Sequence, residues 1–119
     1  MLTVFSYPPC GTCQKAKKWL DAENISYDER HIVKEPPTRE EIRDLKEKSG
    51  LEWKKFFNTS GKKYREMGLK DKLPDADEET IIDWLSSDGM LIKRPIVTDG
   101  QTVTLGFKES EFLANWKNQ

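Results

Sequence analysis

Leu2-Thr3-Val4-Phe5-Ser6-Tyr7-Pro8-Pro9-Cys10-Gly11-Thr12-Cys13-Gln14-Lys15-Ala16 is the stretch that decides the fold of this 119-residue chain. Its apolar, β-rich start predicts a strand over Leu2–Ser6. Tyr7-Pro8-Pro9 stops that strand, because proline has no N–H to give a sheet ladder and restricts the residue before it. From Gly11 the period changes. Cys13, Ala16, Trp19 and Leu20 recur at helical spacing while Lys15, Lys17 and Lys18 face elsewhere, which predicts a helix over residues 11–23 terminated at Asn24. Residues 25–33 then alternate apolar and polar side chains, as a half-buried strand does, and end before Glu35-Pro36-Pro37. The chain opens β-α-β.

The middle reads as helices. Thr38 stands three residues ahead of Glu41 in a capping-box pattern, Ile42 and Leu45 point inward, and Gly50 closes the segment. Trp53, Phe56 and Phe57 are expected on one helical face, Asn58-Thr59-Ser60-Gly61 in a turn, and residues 62–67 in a short helix ending at Gly68. Leu73-Pro74-Asp75 reads as turn punctuation, and residues 77–87 as a helix burying Ile81, Ile82 and Leu85. After Arg94-Pro95, two short β runs at residues 96–98 and 102–105 flank Asp99-Gly100, a hairpin signal, and Phe112, Leu113 and Trp116 mark a last helix. The expected order is β-α-β, a helical insert over about residues 38–87, then β-β-α, within one domain covering residues 1–119.

Composition narrows the function. Lys plus Arg total 20 against 21 Asp plus Glu, a net charge of -1, so a direct nucleic-acid binder that works by neutralising phosphates is not expected. No apolar run reaches the ~18 residues of a membrane span, and the first residues lack a basic flank followed by a long apolar stretch. The expectation is a soluble cytoplasmic monomer. With two cysteines and one histidine the chain cannot supply the four ligands of a structural zinc site, unless two copies share their cysteines, so no metal is expected.

Cys10-Gly11-Thr12-Cys13 falls between the first strand and the start of the first helix. Unpaired N–H groups and the positive end of the helix dipole stabilise a thiolate there. Cys10 is thus placed as nucleophile. Cys13, close to one turn further on, can attack a mixed disulfide on Cys10 and expel the bound thiol. Gly11 and Thr12 are small and admit an incoming disulfide, while Pro8 and Pro9 stiffen the loop. The alternative is a pair of ordinary cysteines, one packing on the helix like Ala16. Arg94-Pro95 is the second candidate: an X-Pro bond can adopt cis and leave a backbone edge open beside the cysteines, and Arg94 would bring a permanent cation to a thiolate or oxyanion. His31 reads as a surface strand residue.

Tyr7-Pro8-Pro9-Cys10-Gly11-Thr12-Cys13-Gln14-Lys15-Ala16, Glu35-Pro36, Asn58-Thr59 and Leu91-Ile92-Lys93-Arg94-Pro95-Ile96-Val97 resemble the arsenate reductase (ArsC) and Spx/MgsR family, in order through almost the whole chain. The resemblance implies an α/β, thioredoxin-like fold with a mixed four-stranded sheet and a helical insert, and a cis peptide before Pro95. It implies catalytic roles for Cys10, Cys13 and Arg94 and substrate contacts at Gly11, Thr12 and Pro95. Arsenate reductases of this type use one cysteine at the position of Cys10, with glutathione and glutaredoxin, and three arginines. Only Arg94 matches those arginines, since residues 58–61 and Gly106-Phe107-Lys108 carry none. Spx-like members share the position of Cys13, use the pair as a redox switch, and bind the C-terminal domain of the RNA polymerase α subunit. Two functions follow as expectations. The first is a reductase acting on a thiol or disulfide substrate through a reversible Cys10–Cys13 disulfide, with no bound cofactor and with glutathione, glutaredoxin or thioredoxin as reductant. The second is a redox-sensing regulator with RNA polymerase α as partner.

Overall fold

A computed structural model describes residues 1–117 and divides the chain into two compact units, Met1–His31 with the segment from Arg94 onward, and Ile32–Lys93. The first unit holds a four-stranded sheet in the order β2-β1-β3-β4, built from β1 (Leu2–Ser6), β2 (Tyr27–His31), β3 (Ile96–Thr98) and β4 (Val103–Leu105). β1 and β2 are parallel, joined by α1 (Gly11–Ala22), and pair from Leu2 with Tyr27 to Ser6 with His31. β3 runs antiparallel to β1, with Val97 opposite Val4 and Ile96 opposite Phe5. The expected mixed α/β sheet is present, with β1 at its interior.

Alternation along β1 selects the face that packs on α1. Leu2 and Val4 join Ala16, Leu20, Val97, Phe112 and Trp116 in one buried cluster, flanked by Trp19, Ile25, Tyr27 and Phe107. Phe112 is the anchor from the chain's end: the rings of Trp19 and Phe107 meet it edge-on, with centroids 5.4 and 4.8 Å away. Helix α1 stops where Asn24 turns left-handed at φ 57. Asp99 closes the hairpin by accepting from the N–H groups of Gln101 and Thr102, so the loop runs through Thr102 and β4 starts at Val103. The last helix differs from expectation. α6 (Glu109–Phe112) gives way to a π-helical turn over Leu113–Lys117, which leaves Leu113 exposed while Trp116 reaches the core and donates to the Thr104 hydroxyl at 3.3 Å.

The second unit contains α2 (Arg39–Ser49), α3 (Lys62–Glu66), α4 (Leu69–Lys72) and α5 (Glu78–Ser87). The capping box forms as its sequence predicts: Glu41 N–H donates to Thr38 Oγ1 at 3.1 Å, and Thr38 N–H donates to Glu41 Oε1 at 2.9 Å. Gly50 ends α2 left-handed at φ 66. α2 and α5 pack through Ile42, Leu45, Ile81, Ile82 and Leu85, and Arg39 and Arg43 pair across their exposed side with Glu79 and Asp83. Two local readings change. Only residues Trp53–Phe56 form a helical turn, of 3-10 type, because Phe57 is extended and bridges antiparallel to Ile92. Residues 69–72, where no element is expected, form α4, and Leu73-Pro74-Asp75, the expected turn, is a 3-10 turn carrying Pro74, a residue tolerated where no helical N–H is required.

Gly89 seats the returning chain against the backbone of the same unit's first residues. A Cβ there would lie 2.0 Å from the Ile32 carbonyl oxygen, whereas a Cβ on Gly11 would meet nothing within 4 Å. Gly89→Ala should therefore cost at least about 2 kcal/mol in urea denaturation, since a fixed backbone must move. Gly11→Ala should stay within about 0.5 kcal/mol of the parent. Equal behaviour of the two variants would contradict this packing.

Candidate active site

The β1–β3 register builds the site. Two residues beyond the Phe5–Ile96 pair, Tyr7 faces Arg94, and the guanidinium carbon sits 5.0 Å from the Tyr7 ring centroid. On the other side, next to the Ser6–His31 pair, the His31 ring meets Tyr7 edge-on at 5.8 Å. The Arg94–Pro95 peptide is cis. Pro95 is buried, and its carbonyl accepts from Gly106 N–H at 2.9 Å. The open backbone edge expected at Pro95 is thus partly occupied by the hairpin itself.

Tyr7-Pro8-Pro9-Cys10 is a tight turn, closed by Cys10 N–H to the Tyr7 carbonyl at 2.8 Å and braced by the Gln14 side-chain amide on the Pro8 carbonyl at 2.9 Å. Cys10 occupies the cap of α1 in an extended conformation, with no side-chain cap and no acidic residue in the first turn. The helix end therefore keeps its positive character for a sulfur. Cys10 is half-buried and Cys13 wholly buried, and both are free thiols. Tyr7 N–H points at Cys13 Sγ, 3.4 Å away. Gly11 and Thr12 are exposed beside Cys10.

The two thiols are driven in opposite directions. Burial works against a charge on Cys10, but the Cys13 N–H and thiol, the Arg94 guanidinium and the Thr12 N–H all donate to its sulfur, and together they hold its pKa below the usual 9.0. Burial pushes the Cys13 thiol up to about 11; the Tyr7 N–H and Arg94 oppose that rise, and the neighbouring Cys10 sulfur adds to it. Arg94 has donors to spare. Its Nε and Nη1 are buried and find no acceptor among the described residues. Behind the loop, Glu29 Oε2 accepts from Lys17 Nζ at 2.8 Å and from the buried Ser6 hydroxyl at 2.6 Å, bonds that keep its carboxyl below the usual range.

The structure thus gathers Cys10, Cys13, Gly11, Thr12, Arg94 and Pro95 at one end of the sheet. Sequence reading passed over Tyr7 as a site residue, although it both carries Arg94 on its ring and offers its N–H to Cys13. Its position one residue beyond an interior strand was the available signal. Among the described residues no group of His, Cys, Asp and Glu side chains could hold a metal ion, and no helix is long and apolar enough to cross a membrane.

A parallel β-α-β unit joined to an antiparallel hairpin, with a C-x-x-C pair at the start of the first helix and a cis-proline directly before the hairpin, defines a thioredoxin-like protein. The ArsC family model matches residues 5–115, and the chain belongs to the ArsC family. It is 57% identical over 115 residues to the uncharacterized protein YusI of Bacillus subtilis, covering 97% of this chain and 98% of that one. It is 33% identical over 112 residues to the global transcriptional regulator Spx of Staphylococcus aureus, covering 93% and 83%. A crystal structure of an ArsC family related protein from Bacteroides fragilis superposes with a TM-score of 0.92 at 48% identity, covering 95% of each chain.

Iodoacetamide labelling followed by mass mapping should modify Cys10 first, with a half-point below pH 9.0 that moves upward in Arg94→Gln. Equal labelling of both thiols would contradict the asymmetry. Stability should carry the opposite signature from Cys13. Its raised folded pKa means that the folded state holds the neutral thiol longer than the unfolded chain does. The reduced protein should therefore keep this contribution below pH 9.0 and lose it as pH rises toward about 11. The denaturation midpoint of Cys13→Ala should fall less steeply over that interval.

Proposed function

We propose that this protein is a thiol–disulfide oxidoreductase working through a reversible Cys10–Cys13 disulfide. The observation that supports it most is the opposed tuning of two cysteines under one helix end, a reactive half-exposed sulfur backed by a buried protonated one. The Cys10 thiolate attacks one sulfur of a substrate disulfide, forming a mixed disulfide and releasing the other half as a thiolate that takes a proton from solvent. Cys13 then gives up its proton, attacks the Cys10 sulfur and expels the second half. The substrate gains two electrons and the protein leaves as the intramolecular disulfide. An external thiol, of the glutathione, glutaredoxin or thioredoxin class, returns it to the dithiol. Arg94 stabilises the Cys10 thiolate as nucleophile and leaving group, exposed Gly11 and Thr12 provide the approach, and Pro95, buried next to Arg94 in the chain, is the residue expected to contact the substrate from the hairpin side. Such a cycle suits the reducing cytoplasm.

Arsenate reduction is the less favoured chemistry for this site. A tetrahedral oxyanion is held best by several planar multidentate donors, and among the described residues Arg94 is the cation that acts on the Cys10 sulfur. The second reading, a redox-sensing regulator that binds the RNA polymerase α subunit, is favoured by the similarity to Spx, which shares nearly the whole chain. In that case the same disulfide would switch a contact rather than turn over a substrate.

Cys13→Ser incubated with oxidised glutathione should stall as a mixed disulfide on Cys10, and Cys10→Ser should nearly cease exchange. The stalled variant, passed over a cell extract, should retain thiol proteins if the chain is a reductase. Retention of RNA polymerase without disulfide turnover would favour the regulator, and failure of Cys10 to form any mixed disulfide would remove both readings.

A further inference from the structure

Arg94 holds more hydrogen-bonding capacity than disulfide exchange uses. A guanidinium offers five N–H donors, and here those on Nε and Nη1 are buried without an acceptor while the group also reaches the Cys10 sulfur. Buried donors left unmade are costly, and a disulfide does little for them, because sulfur is a weak acceptor. An oxygen-bearing substrate would satisfy them. Since a single guanidinium, already shared with the thiolate, faces the sulfur, it matches a small neutral molecule with two adjacent oxygens better than a multiply charged anion.

We propose that Cys10 also reduces hydroperoxides, with Arg94 gripping the peroxide oxygens and Cys13 resolving the product. The inference rests on the reading of Cys10 and Cys13 as an exchanging pair. The Cys10 thiolate attacks the terminal oxygen of the peroxide, an S–O bond forms as the O–O bond breaks, and the leaving alkoxide or hydroxide takes a proton from solvent. Cys10 is oxidised by two electrons to the sulfenic acid and the peroxide is reduced to alcohol or water. Arg94 donates to the oxygen on which negative charge grows. Cys13 then attacks the sulfenic sulfur, the S–S bond forms, and the hydroxyl leaves as water with the Cys13 proton. A dithiol restores both thiols. Half-exposure of Cys10 and the exposed Gly11 and Thr12 leave room for so small a substrate.

The test compares two oxidants on the full chain, hydrogen peroxide and the neutral disulfide 4,4′-dithiodipyridine, by stopped flow and by mass, with dithiothreitol as reductant for turnover. Wild type should react with hydrogen peroxide at least about tenfold faster than the thiolate of free cysteine and end as the Cys10–Cys13 disulfide. In Cys13→Ser the sulfenic acid on Cys10 should be captured by dimedone. In Arg94→Gln the ratio of the peroxide rate to the disulfide rate should fall about 10- to 100-fold, the loss expected for a hydrogen bond to developing charge. A wild-type peroxide rate no greater than that of free cysteine, or an unchanged ratio in Arg94→Gln, overturns the inference while intact exchange with dithiodipyridine leaves the proposed function standing. Absence of a bridge with either oxidant overturns both.

Discussion

The antiparallel pairing of β1 with β3 is the constraint on which the site depends. Because β1 lies inside the sheet, parallel to β2 on one edge and antiparallel to β3 on the other, its C-terminal end is met by the start of β3 and the end of β2. The chain leaving β1 must turn at Pro8-Pro9 and enter α1, and the same pairing delivers Arg94 to Tyr7 and His31 to Tyr7's other side. Cys10 is thereby met by two kinds of positive influence, the helix end acting through the N–H groups of Thr12 and Cys13, and a guanidinium. Shifting β3 by one residue would turn its side chains to the opposite faces and remove Arg94 from Tyr7.

Tyr7 ties the electrostatics to this geometry. Its N–H donates to Cys13 Sγ and moderates the rise that burial imposes there, while its ring supports the Arg94 guanidinium that favours the Cys10 thiolate, so a single residue reaches both sulfurs. The resulting gradient runs from solvent inward. Outside is a thiolate that reacts readily, and inside is a neutral thiol that does not compete for oxidants until the outer sulfur has been modified. Glu29, held by Lys17 and Ser6, adds a fixed negative charge behind the loop. It keeps the surroundings of α1 from being uniformly positive.

The sequence made the local elements of the sheet unit readable because each has a local cause. The Pro-Pro stop, the 3.6-residue recurrence of Cys13, Ala16 and Leu20, the Thr38–Glu41 box and the Asp99-Gly100 hairpin all act within a few residues. What stayed hidden was set by distant partners. Phe57 is extended because it bridges Ile92, 35 positions away, and no window around Trp53 contains that fact. α4 was lost because four residues beside a proline give no period to detect. Leu113 departs from a helical pattern because a π-helical turn shifts the register that brings Trp116 to Thr104. At the site, the Cys pair and Arg94 were legible as chemistry, while their meeting, Tyr7's part in it and the use of the Pro95 carbonyl by Gly106 required the sheet order.

Membership of the ArsC family sets the fold and leaves the chemistry to particular residues. In this chain those residues keep a second cysteine under the first helix and one arginine over the first cysteine. The central claim is that Cys10 and Cys13 form a single redox couple. Equilibrating the protein in graded mixtures of reduced and oxidised glutathione, quenching with acid and weighing the products tests it most directly. The account predicts one two-electron transition between the dithiol and a species lighter by two hydrogens, bridged from Cys10 to Cys13. Accumulation of glutathione on Cys10 across the whole range, with Cys13 remaining a free thiol, would contradict it.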